Sequence, residues 1–322
     1  MTRRADSLLF IYSAHVDTDT LLRRKREIVA RYGPWTAHPI ELAGGIYTID
    51  EDVANRAVTH GRHLKRILQV ASDLAARPLA SLRVLDLACL EGMYGIEFAR
   101  HGAEVVAIDV REEHLAKTRF AAEVLQLARL TAIQDDVRNL SVEKYGRFDV
   151  VLCLGIFYHL DAPDLFRFAE AIRAVCSRVA IFDTHVAVWP RTTFRDGDAR
   201  YHGKHVFEHF PWSSPEARRG KLWASIDNPR SVWLTRPSLF NLLTNAGFTS
   251  VYSCHVPAFP GRARDRDTFA ALIGEPETTF STPPAESAPR SLVEEDTAIA
   301  RARNFLRDKV RSVVGSRISR RK

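Results

Sequence analysis

Asp86 and Asp109 lie at the ends of two apolar runs, Ser81–Leu87 and Glu104–Asp109, and Asp136 follows a third, Leu130–Gln134. Acids repeated at successive strand ends suit a nucleoside. Asp109, followed by Val110, can accept both hydroxyls of a ribose. Asp136 is placed to meet an adenine amino group, with Val137 packing on the ring. Between the first two acids runs Ala88-Cys89-Leu90-Glu91-Gly92, a small-residue turn leading into a helix, where a ligand can sit on backbone N–H groups. A dinucleotide-binding loop requires G-x-G-x-x-G, and no register of this turn supplies it.

These residues need a frame. The chain alternates apolar runs with helix-period segments from residue 81 onward. Strands are expected at 81–87, 104–109, 130–134, 148–154 and 178–183, with helices at 93–101, 111–127 and 162–176. Two helices precede this frame, at 18–32 and about 51–76, with a loop over 33–50 between them. A helix at 236–246 and strands at 249–255 and 268–273 close the frame. The domain reading is an N-terminal helical and loop segment (1–79), a catalytic α/β domain (80–274) with an inserted cap (186–233), a Pro/Ser/Thr-rich linker (275–291) and a basic amphipathic tail (292–322).

The chain has 322 residues and a net charge of +7, but residues 301–322 alone carry +8, which leaves the rest nearly balanced. That balance speaks against a nucleic-acid-binding body, while the tail suits an anionic membrane surface. The N-terminal apolar run, Leu8–Tyr12, is short for a signal peptide, so a cytoplasmic protein is expected, with the tail suited to the inner face of the membrane. Four scattered cysteines without C-x-x-C exclude a disulfide framework and a four-cysteine zinc site.

The order Asp86-x-Ala88-x-Leu90-x-Gly92, Asp109, Asp136-Val137 and Ala246-Gly247-Phe248 resembles the class I S-adenosyl-L-methionine (SAM) methyltransferases, whose first motif is D/E-x-G-x-G-x-G. The resemblance covers about residues 80–274. It implies a Rossmann-like seven-stranded, mostly parallel sheet with the last strand antiparallel, and SAM across the strand ends on Asp86, Ala88, Cys89, Gly92, Asp109, Val110, Asp136 and Val137. Gly155-Ile156-Phe157-Tyr158-His159 and Trp35–Thr48 are similar to the tRNA wobble-uridine carboxymethyltransferase branch and its bacterial small-molecule relatives. That similarity places Leu154 and Tyr158 on SAM. The branch uses a basic residue near the upstream loop to hold an extra carboxylate. Residues 33–50 contain no Lys or Arg, so plain SAM is the expected donor.

Methyl transfer to a hydroxyl also needs a base. His159 is the first candidate and His185 the second, with Asp183 orienting His185 or capping its turn. The expected function is O-methylation of a small molecule or glycan. The alternatives are tRNA wobble-uridine methyl or carboxymethyl transfer and a non-catalytic SAM-binding scaffold. His202, His205, Glu208 and His209 have metal-ligand spacing, but Gly203 and Pro211 argue against the helix that would align them, so no metal is expected. Trp189, Trp212, Trp223 and Trp233 read as the small core of the cap, or as surfaces on which a ring could stack.

Overall fold

The computed structural model describes residues 17–255 and 265–281. The 292–322 tail and most of the linker lie outside the described residues.

Helix α1 (Thr18–Tyr32) opens on Asp17, whose carboxylate accepts the Thr20 N–H, and stops at Gly33. The 33–50 stretch, expected as loop, contains a short hairpin of β1 (Glu41–Ala43) and β2 (Ile46–Tyr47), followed by α2 (Val53–Ala75). The frame then alternates as expected: β3 (Arg83–Leu87), α3 (Met93–Arg100), β4 (Glu104–Asp109), α4 (Glu112–Val124), β5 (Leu130–Gln134), α5 (Val142–Tyr145), β6 (Phe148–Leu154), α6 (Asp164–Val175) and β7 (Cys176–His185).

The cap is a three-stranded antiparallel sheet of β8 (Thr192–Asp196), β9 (Ala199–Phe207) and β10 (Arg230–Leu234). Between β9 and β10 a long arm carries α7 (Pro215–Gly220). Helix α8 (Arg236–Asn245) and strands β11 (Ser250–Ser253) and β12 (Arg266–Leu272) are the last elements among the described residues.

The main sheet has seven strands in the order β11-β12-β7-β6-β3-β4-β5. The five strands β3 to β7 are parallel, and β12 runs antiparallel between β7 and β11. Strand alternation sorts the core into two layers. Val84, Val150, Leu152 and Ile181 pack with α2 and α3 residues on one face. Leu85, Val151, Cys153 and Phe182 pack with α6 and α8 residues on the other. Strand order reverses between β3 and β6, which opens a crevice at their carboxyl ends.

The cap differs from the expected tryptophan core. Its buried centre is Phe194, Tyr201, Val232 and Leu234. Trp189, Trp212 and Trp223 are exposed, Trp212 stacking on Phe210 with ring centroids 5.1 Å apart. All four cysteines are free and buried.

Candidate active site

The crevice holds a cavity of about 350 Å³. The β3–α3 loop forms its floor. Ala88 (φ 52°) and Leu90 (φ 53°) take left-handed backbone conformations, as does Gly92 (φ 81°). Side chains at 88 and 90 therefore occupy backbone positions that favour glycine, at a strain of about 1–2 kcal/mol each. Gly92 is sterically required. A Cβ there would stand 2.5 Å from Thr118 Cγ2.

Asp109 is buried at the end of β4. Its Oδ2 accepts the Leu90 N–H at 2.9 Å and its Oδ1 the Arg111 N–H at 2.9 Å, so the acid fixes the loop as well as facing the cavity. His114 Nδ1 lies 3.2 Å from the same carboxylate, and its Nε2, buried on the cavity wall, has no hydrogen-bond partner. Asp136 and Val137 line the next stretch of wall. Arg138 clamps the Asp136 carboxylate from Nε (3.0 and 3.1 Å) and Nη2 (2.6 Å).

Ala88, Asp109, Val110, Asp136, Val137, Leu154, Tyr158 and His159 thus come together on one cavity. Asp86, Cys89 and Gly92 are not among the residues that line it. Asp86 lies behind the loop and accepts the Gly95 N–H at 2.9 Å. Burial pushes its carboxyl up to about 7, Asp109 adding to the effect. Cys89 packs with Ala107 and Leu115.

His159 stands at the mouth of β6. Its Nδ1 is 2.9 Å from Glu208 Oε1, and Glu208 Oε2 accepts the Ser225 N–H at 3.1 Å. Burial would raise the Glu208 carboxyl, but the His159 hydrogen bond holds it below the usual range. An ionised Glu208 requires the ring proton on Nδ1, which leaves Nε2 as the basic nitrogen. Glu208 comes from the cap and was not anticipated as a partner for His159.

Asp183 and His185 part company. Asp183 binds Arg266 Nε (2.6 Å), Thr268 Oγ1 (2.7 Å) and His63 Nε2 (2.9 Å). Burial opposes its ionisation, but His63 and Arg266 hold the carboxyl well below the usual range. It therefore orients His63, on α2, rather than His185. The other His63 nitrogen meets the Tyr94 hydroxyl at 2.5 Å, and both side chains line the cavity. His185 is off the wall. It stacks on Trp233 at 4.3 Å, with Tyr158 edge-on at 4.7 Å. Burial, then Arg266, lowers its basicity.

Two further segments enclose the cavity. The carboxylate of Glu91, fully buried, accepts the backbone N–H groups of Thr36 (2.6 Å), Ala37 (3.0 Å) and His38 (3.0 Å). This seats Ala37 and His38 on the wall. Burial pushes the His38 imidazole down to about 4. From the other side, residues 222–227 of the cap arm, including Trp223, cover the opening. The cap histidines point to other partners: His202 to Thr193 Oγ1 (3.0 Å) and His209 to the Ser225 carbonyl (2.5 Å).

Residues 84–178 match the family model described as a methyltransferase domain. A ubiquinone biosynthesis O-methyltransferase of Acinetobacter baylyi is 36% identical over 91 residues, which is 28% of this chain and 38% of that relative. One of the same description from Xanthomonas oryzae pv. oryzae is 32% identical over 110 residues, 31% of this chain and 39% of the relative. The chain thus spans under two fifths of the curated relatives it matches. The fold is shared with the N-terminal domain of EvdMO1, crystallised with SAH and D-fucose. That likeness has a TM-score of 0.58, 24% identity, and covers 80% of this chain and 97% of that one. The matched residues 84–178 lie within the seven-stranded sheet, so in sequence and in fold this part of the chain is similar to a methyltransferase domain.

Proposed function

We propose that the protein transfers a methyl group from S-adenosylmethionine to a hydroxyl of a small molecule, with His159 as the general base. The observation that carries this reading is the His159–Glu208 pair, 2.9 Å apart, on the same cavity as Asp109 and Asp136.

The residues present fit the donor. A cavity of about 350 Å³ has the size of a small-ligand site. Asp109 offers a carboxylate to ribose hydroxyls, and the unpartnered, buried His114 Nε2 beside it is a second acceptor for one of them. Asp136, oriented by its hydrogen bonds from Arg138, is an acceptor for the adenine amino group. When bound, S-adenosylmethionine supplies a methyl on a positively charged sulfur, which the acceptor oxygen attacks as the C–S bond breaks and its electron pair stays on sulfur. His159 Nε2 takes the hydroxyl proton, and Glu208 stabilises the imidazolium that results. The remaining work is alignment, done by the walls.

A sugar-bearing acceptor is favoured over a purely apolar one. Trp223, 61% exposed, stands at the cavity rim as a stacking surface, and the structural relative was crystallised with D-fucose. The 292–322 segment, with its cluster of Lys and Arg, is proposed to hold the enzyme at anionic membrane.

The test is methyl-labelled S-adenosylmethionine with a cell extract, followed by isolation of the labelled product. His159→Ala is expected to lower turnover by about 10²–10⁴ while leaving SAH affinity nearly unchanged. A loss under about threefold would remove His159 as base.

A further inference from the structure

The tripeptide Asp-Val-Arg occurs at the ends of two successive strands, as Asp109-Val110-Arg111 after β4 and Asp136-Val137-Arg138 after β5. The two turns share one hydrogen bond, although Arg111 is extended and Arg138 lies in a short 3-10 turn. In each, the acid's Oδ1 accepts the N–H of the arginine two residues on, at 2.9 Å. Each acid lines the cavity, and each arginine reaches the cap arm. The Arg111 guanidinium donates to the carbonyls of Arg219 and Lys221, the latter at 3.2 Å. Arg138 Nη2 bridges Asp136 Oδ2 (2.6 Å) and Asp227 Oδ2 (2.7 Å).

The arm held this way also holds the base. Lys221 Nζ donates to the Glu208 carbonyl at 2.5 Å, and the Ser225 N–H donates to Glu208 Oε2 at 3.1 Å. Glu208 in turn fixes His159. Residues 219–227 therefore join the two arginines beside the donor's acids to the carboxylate that sets the ring tautomer of the base.

We infer that the paired Asp-Val-Arg turns couple donor binding to alignment of the catalytic base, with Arg111 and Arg138 as positioning residues that act through arm 219–227 and Glu208. This rests on the methyltransferase reading above. A donor nucleoside on Asp109 and Asp136 stiffens the turns that carry the arginines, and the arginines hold the arm over it. Lone exposed ion pairs contribute little, but Arg138 serves Asp136, Asp164 and Asp227 together, and Arg111 is buried against backbone carbonyls. Coupling is reciprocal: whatever the donor adds to arm closure, the closed arm must add to donor affinity.

The experiment uses SAH as probe on the full chain, comparing the parent with Asp227→Asn and Arg138→Lys. Three quantities are read: SAH affinity by calorimetry, hydrogen exchange of amides 219–228 with and without SAH, and the ¹⁵N shifts of the His159 ring. In the parent, SAH is expected to slow exchange of the arm by about 5–30-fold and the ring to sit in one Nδ1–H tautomer. Asp227→Asn is expected to lose most of that protection, to weaken SAH by a similar factor, and to mix the tautomers. Arg138→Lys, which keeps the charge but loses the fork, is expected to fall between. Unchanged SAH affinity in both variants, with arm exchange indifferent to SAH, would overturn the coupling while leaving the methyltransferase reading intact. Failure of the parent to bind SAH would overturn that reading, and the coupling with it.

Discussion

Asp109 illustrates how one carboxylate serves both fold and ligand. It receives the Leu90 and Arg111 N–H groups and His114 Nδ1, and still has lone-pair capacity for a ribose hydroxyl. Asp109→Ala is accordingly expected to weaken SAH binding about 30–150-fold, from roughly 2–3 kcal/mol of charge-assisted bonds. Calorimetry on the folded variant checks it, and unchanged affinity would remove the residue from the site. Asp109 and Asp136 were legible in the sequence because an acid at a strand end has few other reasons to recur. His159 was legible as a candidate, but its partner was not. Glu208 lies 49 residues away in a segment without periodicity, and His63 reaches Asp183 across 120 residues from within an ordinary helix. For His185 the sequence shows only its neighbour Asp183, whereas in the fold its ring stacks on Trp233, a contact that sequence spacing does not suggest.

Among the elements, β3, β4, β6 and β7 follow the apolar pattern closely because they are buried along most of their length, whereas β5, at the sheet edge, is only partly covered. The β1–β2 hairpin escaped notice because its strands span three and two residues. The cap sheet escaped because its β8–β10 strands carry polar and charged residues on the outer face. The β3–α3 loop is the instructive element. Its sequence departs from the glycine pattern at Ala88 and Leu90, yet its backbone keeps left-handed conformations there. The loop shape is imposed by Asp109 on the Leu90 N–H, by Asp86 on the Gly95 N–H and by packing on Thr118. Ala88→Gly should relieve that strain at the loss of one half-buried methyl. The expected gain is about 0.5–1 kcal/mol, less than the full left-handed penalty because glycine also adds entropy to the unfolded chain. Thermal unfolding rising by ~1–3 °C would be the result, and a fall would mean the methyl packs better than its exposure suggests.

At the scale of the whole molecule, the N-terminal segment and the tail raise separate questions. The first is tied in: Glu91 gathers the 36–38 backbone, and His38 is buried as a neutral ring. That burial has a pH signature. The folded ring titrates near 4 and the unfolded one near 6.5, so its contribution to stability is present above 6.5 and lost as pH falls toward 4. Asp86, raised to about 7, works the other way: its contribution is full below the unfolded value of 3.8 and lost as pH rises through 7. The two oppose each other between pH 4 and 7. Comparing the parent with His38→Asn isolates the histidine: from pH 7 to 5 the parent should lose ~1–2 kcal/mol more in urea unfolding. Equal losses would mean that the fold does not lower the His38 imidazole. The tail, by contrast, is joined to the body by a Pro/Ser/Thr-rich stretch, and residues 301–322 carry eight net positive charges against a balanced body. Binding of the donor and tethering should therefore separate. The sheet closes at Leu272, so a chain ending at Ala288 keeps every element that positions the cavity among the described residues. It should bind SAH like the full chain. Only the full chain should float with anionic vesicles, since each engaged Lys or Arg contributes up to ~1 kcal/mol near such a surface. Raising the salt should weaken that flotation without abolishing it, because apolar residues from Leu306 to Val314 would add burial that ions do not screen. Neutral vesicles should recover little of either chain. Equal recovery of both chains under every condition would end the membrane proposal and leave the cavity chemistry untouched.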